Sequence, residues 1–192
     1  MQVQRTRRSD RRRRQVPMTG DALFALGDVG RTELVRGEVR RMSPTGYLHG
    51  FVECNLGAAL RTFVREKGLG RVLTGEVGIF TRRNPDTVRG VDVAYLSHER
   101  LSQLSSSSYL DVAPELVVEV LSPDDRWSDV TEKLSEYFSI GVDRVWVADP
   151  RKRQVHVYRS PTSVEVVGED DLLPGGDILP GLDLKVAEIF SE

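Results

Sequence analysis

The sequence predicts an α/β fold on a mixed sheet, with core order helix, three strands, helix, strand. Three observations predict it. Residues 48–67 place Val52, Leu56, Ala59, Leu60 and Phe63 at the 3.6-residue period of a helix that buries one face. Residues 72–121 hold three β-prone runs, and the last, ELVVEVL at 115–121, is apolar enough to be covered on both faces. Residues 129–140 then have helical spacing and precede another apolar run at 144–148, as a crossover helix between strands requires.

The elements follow in order. Residues 21–26 predict a short helix. TELVRGEVRRM at 32–42 has Gly37 between two β-prone runs and predicts a strand or hairpin, and SPTG at 43–46 predicts a loop. Gly68 and Gly70 end the long helix. Residues 72–82 alternate as a strand, RRNPD at 82–86 is a turn, and 88–96 form a second strand. Serines 105–108 mark a loop before the strand at 115–121. Asp129 and Glu132 have the spacing of a capping box at the start of the second long helix, and Gly141 closes it. Asp149-Pro150 stops the strand at 144–148. Residues 154–159 and 163–168 predict a hairpin, 172–182 a turn-rich crossing, and 186–190 a terminal helix. Residues 18–192 are expected to form one domain, with a hairpin added at each end of the core.

Composition excludes several classes. Of 192 residues, 39% are hydrophobic, enough for a packed core. A single cysteine, Cys54, excludes a disulfide framework and a multi-cysteine zinc site. Three scattered histidines, His49, His98 and His156, argue against a histidine-rich metal site. No apolar run approaches the ~18 residues of a membrane span. Neither GxGxxG nor GxxxxGK[ST] occurs, so no nucleotide cofactor is expected.

Charge is unevenly distributed. Residues 1–17 carry seven arginines and one acid, Asp10, a charge of +6, which leaves −8 on the rest of a chain whose total is −2. This basic arm is either a solvated segment able to meet nucleic-acid phosphates, or lies ahead of a true start at Met18. The apolar stretch behind it, 22–26, is too short for a signal peptide, so a cytoplasmic protein is expected.

The informative residues are charges inside apolar patterns, because burying a charge without a partner is costly. Glu119 interrupts LVVEVL and shares a strand face with Val117 and Leu121. Asp92 sits in VDVAYL, where aspartate is disfavoured. Lys133 falls within the apolar stripe of its helix with Val130, Leu134, Tyr137 and Phe138, where it either snorkels or reaches carboxylates on the sheet. His49 and Glu53 lie four residues apart beside the stripe of the first long helix, and Glu38 and Glu76 are further acids near the same sheet. Paired carboxylates supply hard oxygen ligands for Mg²⁺, and a nearby lysine adds charge stabilisation or positions a water. That combination suits metal-assisted phosphodiester hydrolysis.

At these residues the sequence resembles the Uma-two restriction endonuclease family, a branch of the PD-(D/E)XK nuclease superfamily. The matching stretches are ELVRGEVRRMSP (33–44), His49, VRGVDVAYLS (88–97), PELVVEVLSPDD (114–125), KLSEYFSIGVDRVWVADP (133–150) and LPGLDL (179–184). The resemblance covers residues from Met18 to the C-terminus. It implies a restriction-endonuclease-like mixed sheet core, αβββαβ, flanked by helices, and metal-dependent nuclease chemistry. It matches Asp92 to the aspartate of the Pro-Asp pair and Glu119 to the acid of the second motif. It also matches Glu38 to the glutamate of the leading ELxxGE element, as a further member of the metal site. Val91 replaces the usual proline. Leu121 occupies the nominal lysine slot, so activity depends on Lys133 reaching the site from the following helix.

The expected function is a Mg²⁺-dependent DNA endonuclease, with Mn²⁺ able to substitute. Asp92 and Glu119 would hold the metal, helped by Glu38 or the carbonyl of Val120, with His49, Glu76 and Glu53 in support. Lys133 would orient the attacking hydroxide. The alternative is a retired nuclease-fold module that binds nucleic acid or protein without cutting, and a third reading is a phosphoesterase for a small substrate. DNA contacts would come from Arg82, Arg83 and Arg89, or from Arg151, Lys152 and Arg153. A homodimer is expected on the ground that cutting both strands calls for two sites.

Overall fold

The computed structural model describes residues 16–191, so the basic arm expected at 1–17 lies almost wholly outside the described residues. The elements are α1 (Gly20–Ala25), β1 (Thr32–Val35), β2 (Glu38–Arg41), α2 (Tyr47–Lys67), β3 (Gly70–Arg82), β4 (Thr87–Ser97) and α3 (His98–Ser102). They continue with β5 (Leu116–Val120), α4 (Trp127–Ser139), β6 (Arg144–Asp149), β7 (Gln154–Ser160), β8 (Ser163–Val167) and α5 (Val186–Phe190). The eight strands form one mixed sheet in the order β2-β1-β4-β5-β6-β7-β8, with β3 paired to β4. The pair β5–β6 is parallel, joined by the crossover helix α4. The expected core order is α2, β3, β4, β5, α4, β6, and the end hairpins are β1–β2 and β7–β8.

Two helical layers cover the sheet. Helix α2 places Val52, Leu56, Leu60 and Val64 against Val93, Tyr95, Leu116, Val118 and Trp146. These four recur every fourth position, so a 3.6-residue helix keeps them on one side. Gly68 ends it with φ +63, a conformation glycine adopts without a Cβ penalty. Helix α4 places Leu134 and Tyr137 on the opposite face, against Ala94, Leu96, Val117, Val145 and Val147. Strand β5, covered on both sides, is apolar throughout except at Glu119.

The edge of β4 is what makes a site. Strand β3 occupies one edge of β4 along nearly its whole length. Strands β1 and β5 share the other edge, β1 at Val88 and β5 from Val93 to Tyr95. Between them the sheet forks, and residues 89–92 of β4 have no strand partner on that side. Beyond Val118 the strand β5 leaves β4, and the Val120 N–H, which would need a backbone partner, donates to Asp92 Oδ2 at 2.7 Å.

Two local expectations are corrected, and one short helix is added. Helix α4 begins at Trp127, not at Asp129, so the capping box at Asp129 and Glu132 does not form. A tight turn, with Ser122 N donating to Asp125 Oδ2 at 2.7 Å, delivers the chain straight into the helix, and Asp129 sits inside its first turn. Serines 105–108 lie in a loop as expected, and the short helix α3 ahead of them, capped by Ser97 Oγ accepting from Arg100 N at 3.2 Å, is an added element. The alternation of β3 breaks between Thr74 and Val77, where Gly75 and Glu76 (φ +59) form a bulge.

The packing gives a direct expectation. Leu60→Ala removes a fully buried side chain and lowers unfolding free energy by about 2–5 kcal/mol in urea titrations. Val166→Ala, more than half exposed on β8, changes it by under about 0.5 kcal/mol. Similar losses in both variants would contradict this placement of the α2 stripe.

Candidate active site

The fork opens into a cleft lined by Glu33, His49, Glu76, Gly90, Asp92, Glu119, Val120, Ser122 and Lys133, among others. Strand β4 brings Asp92, β5 brings Glu119, β1 brings Glu33, α2 brings His49 and α4 brings Lys133. Asp92 is buried and stands at the fork, so its carboxylate meets α2 although its alternating neighbours Ala94 and Leu96 pack on the α4 side. Its Oδ1 lies 3.2 Å from His49 Nε2. On the far side of that ring, His49 Nδ1 lies 3.2 Å from Ser122 Oγ. Glu53, one helical turn beyond His49, approaches its Nε2 at 3.8 Å and accepts the Gly75 N–H at 3.3 Å. One donor atom each from His49, Glu53 and Asp92 falls within 4.8 Å of the others, close enough for one metal ion.

Glu119 faces the opposite helix. It accepts from Lys133 Nζ at 3.1 Å and from the Tyr137 hydroxyl. Lys133 is shared: the same ammonium lies 3.3 Å from Glu33 Oε1. Glu33 in turn accepts from Arg89 Nη1 at 3.0 Å and from the Gly90 N–H at 3.3 Å. Arg89 grips Glu136 with two hydrogen bonds, Nε at 2.7 Å and Nη2 at 2.8 Å, and Thr81 Oγ1 donates to the same carboxylate at 3.0 Å. On α4, Lys133, Glu136 and Tyr137 occupy i, i+3 and i+4, which puts all three on the sheet-facing side.

The electrostatics follow from burial and from these neighbours. Burial pushes the Glu119 carboxyl up to about 7; Lys133 opposes the rise, and the negative charges of Asp92 and Glu33 add to it. Burial alone would lower the Lys133 ammonium, but Glu119 and Glu33 outweigh it and hold the lysine above its ordinary value. The same balance applies to His49: burial lowers it, and Asp92 and then Glu53 raise it further, so the net direction is up. Burial, reinforced by the charge of Asp92, raises Glu53. His49, Glu53 and Asp92 offer one imidazole nitrogen and two carboxylates, a donor set that a divalent cation fits.

The residues predicted from sequence are distributed as follows. Asp92, Glu119, Lys133, His49 and Glu76 line one cleft, and Glu53 lies behind His49 at its edge. Glu76 is ion-paired to Arg31. Glu38 is not brought in. It is exposed on β2, and the hairpin register pairs it with Val35, beside the turn at Arg36 and Gly37. The glutamate that enters the cleft is Glu33, five residues earlier and buried. Its signal was present in TELV, an acid within a short apolar strand, the same anomaly that singled out Glu119. Asp92 and Glu119 line the same cleft: Asp92 groups with His49 and Glu53, and Glu119 accepts from Lys133 and Tyr137. Arg89 also moves from an expected DNA-facing surface to the interior, because β4 is covered along its length and Glu33 and Glu136 compensate the buried charge. Arg83 stacks over the Phe80 ring and pairs with Asp86, and Arg153 is tied to Glu169 and the Phe190 carbonyl.

No helix among the described residues is long and apolar enough to cross a membrane. No curated protein matches the chain. The crystal structure of a "putative nuclease belonging to DUF820" from Anabaena variabilis ATCC 29413 superposes with a TM-score of 0.74, covering 91% of this chain and 98% of that one at 20% identity. That likeness shows a shared fold. A family model described as "Putative restriction endonuclease" matches residues 22–187, a span holding every strand of the sheet and every residue of the cleft named above. The chain belongs to that family, Uma2.

Proposed function

We propose that this protein is a divalent-metal-dependent endonuclease that hydrolyses phosphodiester bonds of DNA with an activated water. The observation that carries the reading is the convergence of Asp92, Glu119 and Lys133 at the fork, beside the His49–Glu53–Asp92 donor set. Asp92, His49 and Glu53 would hold the cation. When bound, it supplies charge to polarise the phosphate and to make a water acidic at neutral pH. Mg²⁺ or Mn²⁺ suits the two carboxylates, and the imidazole favours Mn²⁺.

The chain's own groups do the rest. Asp92 Oδ2 is fixed by the Val120 N–H, which keeps its Oδ1 turned toward His49 Nε2, the two atoms that would ligate the cation together. Lys133 carries its charge toward the cleft and stabilises charge developing on the phosphate oxygens. Glu119 holds the lysine in place and, as a carboxylate lining the cleft, would accept a proton from the attacking water. Arg89 is a positioning residue, since it touches Glu33 and Glu136 rather than the cleft. Cutting both strands of a duplex would use two such sites, supplied by two copies of the chain. The reading places the protein with its DNA in the cytoplasm.

The test is nicking of supercoiled plasmid in Mn²⁺ or Mg²⁺, with chelator as control. Asp92→Asn, which keeps an acceptor for Val120 N–H, is expected to lose activity by about 100-fold or more, and Lys133→Met by a similar factor. Full activity in either folded variant, or undiminished nicking in chelator, would reject the reading. Retention of fold without any cutting by the wild type would favour the retired module.

The two glutamates of ELVRGE separate the cleft from the hairpin tip. Glu33→Gln is expected to cut activity at least about tenfold and to lower the melting temperature, because Lys133 and Arg89 lose a shared partner. Glu38→Gln is expected to leave both within error. The reverse order in plasmid nicking and thermal melts would contradict the assignment of Glu33 to the site.

A further inference from the structure

A second cleft of about 410 Å³ adjoins the first and shares His49 and Ser122 with it. Three exposed apolar side chains stand on its walls: Tyr47 (80% exposed) and Leu48 (45%) at the start of α2, and Trp127 (46%) at the start of α4. The turn between β6 and β7 contributes Arg151 and Lys152, both exposed. The two acids in this cleft are already used locally. Asp149 accepts the N–H groups of Arg151 at 3.0 Å and Lys152 at 3.2 Å, and Asp125 accepts the Ser122 N–H. His156 packs edge-on against Trp127, ring centroids 5.3 Å apart, and holds the indole at the rim.

Resting on the nuclease reading, we infer that this second cleft takes an unpaired nucleotide of the strand being cut, stacked on Trp127, with a neighbouring phosphate on Arg151 and Lys152. Three features favour it. The cleft is continuous with the candidate active site, so a strand lying across the Asp92 fork runs into it. Its exposed aromatic surface offers stacking, which any base can use through its π-face. Its cations sit at the mouth, where a phosphate backbone would pass; Asp149 accepts two backbone amides and its Oδ2 lies 3.9 Å from Lys152 Nζ, an exposed pairing that a phosphate would replace. Bases inside a duplex are stacked on one another and present no free face, so the site discriminates for single-stranded or locally opened nucleic acid. The substrate class is therefore a strand with an unpaired segment at the cut.

The test uses the full chain without divalent metal, so that nothing is cut and binding is read apart from catalysis. The probes are a short oligothymidylate and a duplex of equal length at low salt. Of the two tryptophans, Trp146 is fully buried, so quenching of tryptophan fluorescence by added strand reports on Trp127. The expected result is quenching by the single strand and binding about tenfold tighter than for the duplex. Trp127→Ala weakens single-strand binding by about tenfold, and Trp127→Phe recovers most of it. Lys152→Glu weakens it as well and flattens its salt dependence. Equal affinity for both probes, no binding of either, or no effect of Trp127→Ala and Lys152→Glu would overturn the proposal. None of these results would touch the metal-dependent nicking that tests the Asp92 site.

Discussion

The structure around the fork depends on one constraint, the compensation of buried negative charge. Glu33 and Asp92 are nearly inaccessible, and Glu119 is largely so. Uncompensated, each would cost several kcal/mol or would protonate. Lys133 and Arg89 prevent this by being shared. One ammonium serves Glu119 and Glu33, and one guanidinium serves Glu33 and Glu136. Removing one partner from such a network costs about 3–5 kcal/mol, because it strands the other buried charge. Beside this network, His49, Glu53 and Asp92 keep a set of donors that suits the fork to a metal.

The backbone explains why the charges gather there. A continuous ladder along β4 would leave no room for side chains of opposite elements to meet. Because β1 and β5 share one edge and leave residues 89–92 between them, the chain must satisfy that stretch with side chains. Glu33 takes the Gly90 N–H from one side, and Asp92 takes the Val120 N–H from the other. The same bonds that repair the sheet fix the carboxylates in place. Helices α2 and α4, on opposite faces, then each send a residue to the gap, His49 from one and Lys133 from the other.

Much of this was legible in the sequence, and the rest was hidden for identifiable reasons. Period located the two long helices and the core strands, and acids within apolar runs located Asp92 and Glu119. Lys133 was legible because a cation inside a helix's apolar stripe needs a partner. Arg89 was hidden: its strand TVRGVDVAYLS reads as exposed at its start, and only the cover given by α4 and β1 buries it. Glu33 and Glu38 were confused because a four-residue strand is too short to show alternation, so the hairpin register decides which acid turns inward. The grouping of Asp92 with His49 depends on a contact 43 residues apart in the chain, to which local pattern is blind.

Calorimetric titration of Mn²⁺ into the wild type and into Asp92→Asn tests the central claim most directly, since it asks whether the His49–Glu53–Asp92 donor set at the fork is a metal site. One ion bound per chain in the wild type, with binding lost in the variant while its circular dichroism is unchanged, is the predicted result. Equal binding by both proteins, or none by either, would contradict it.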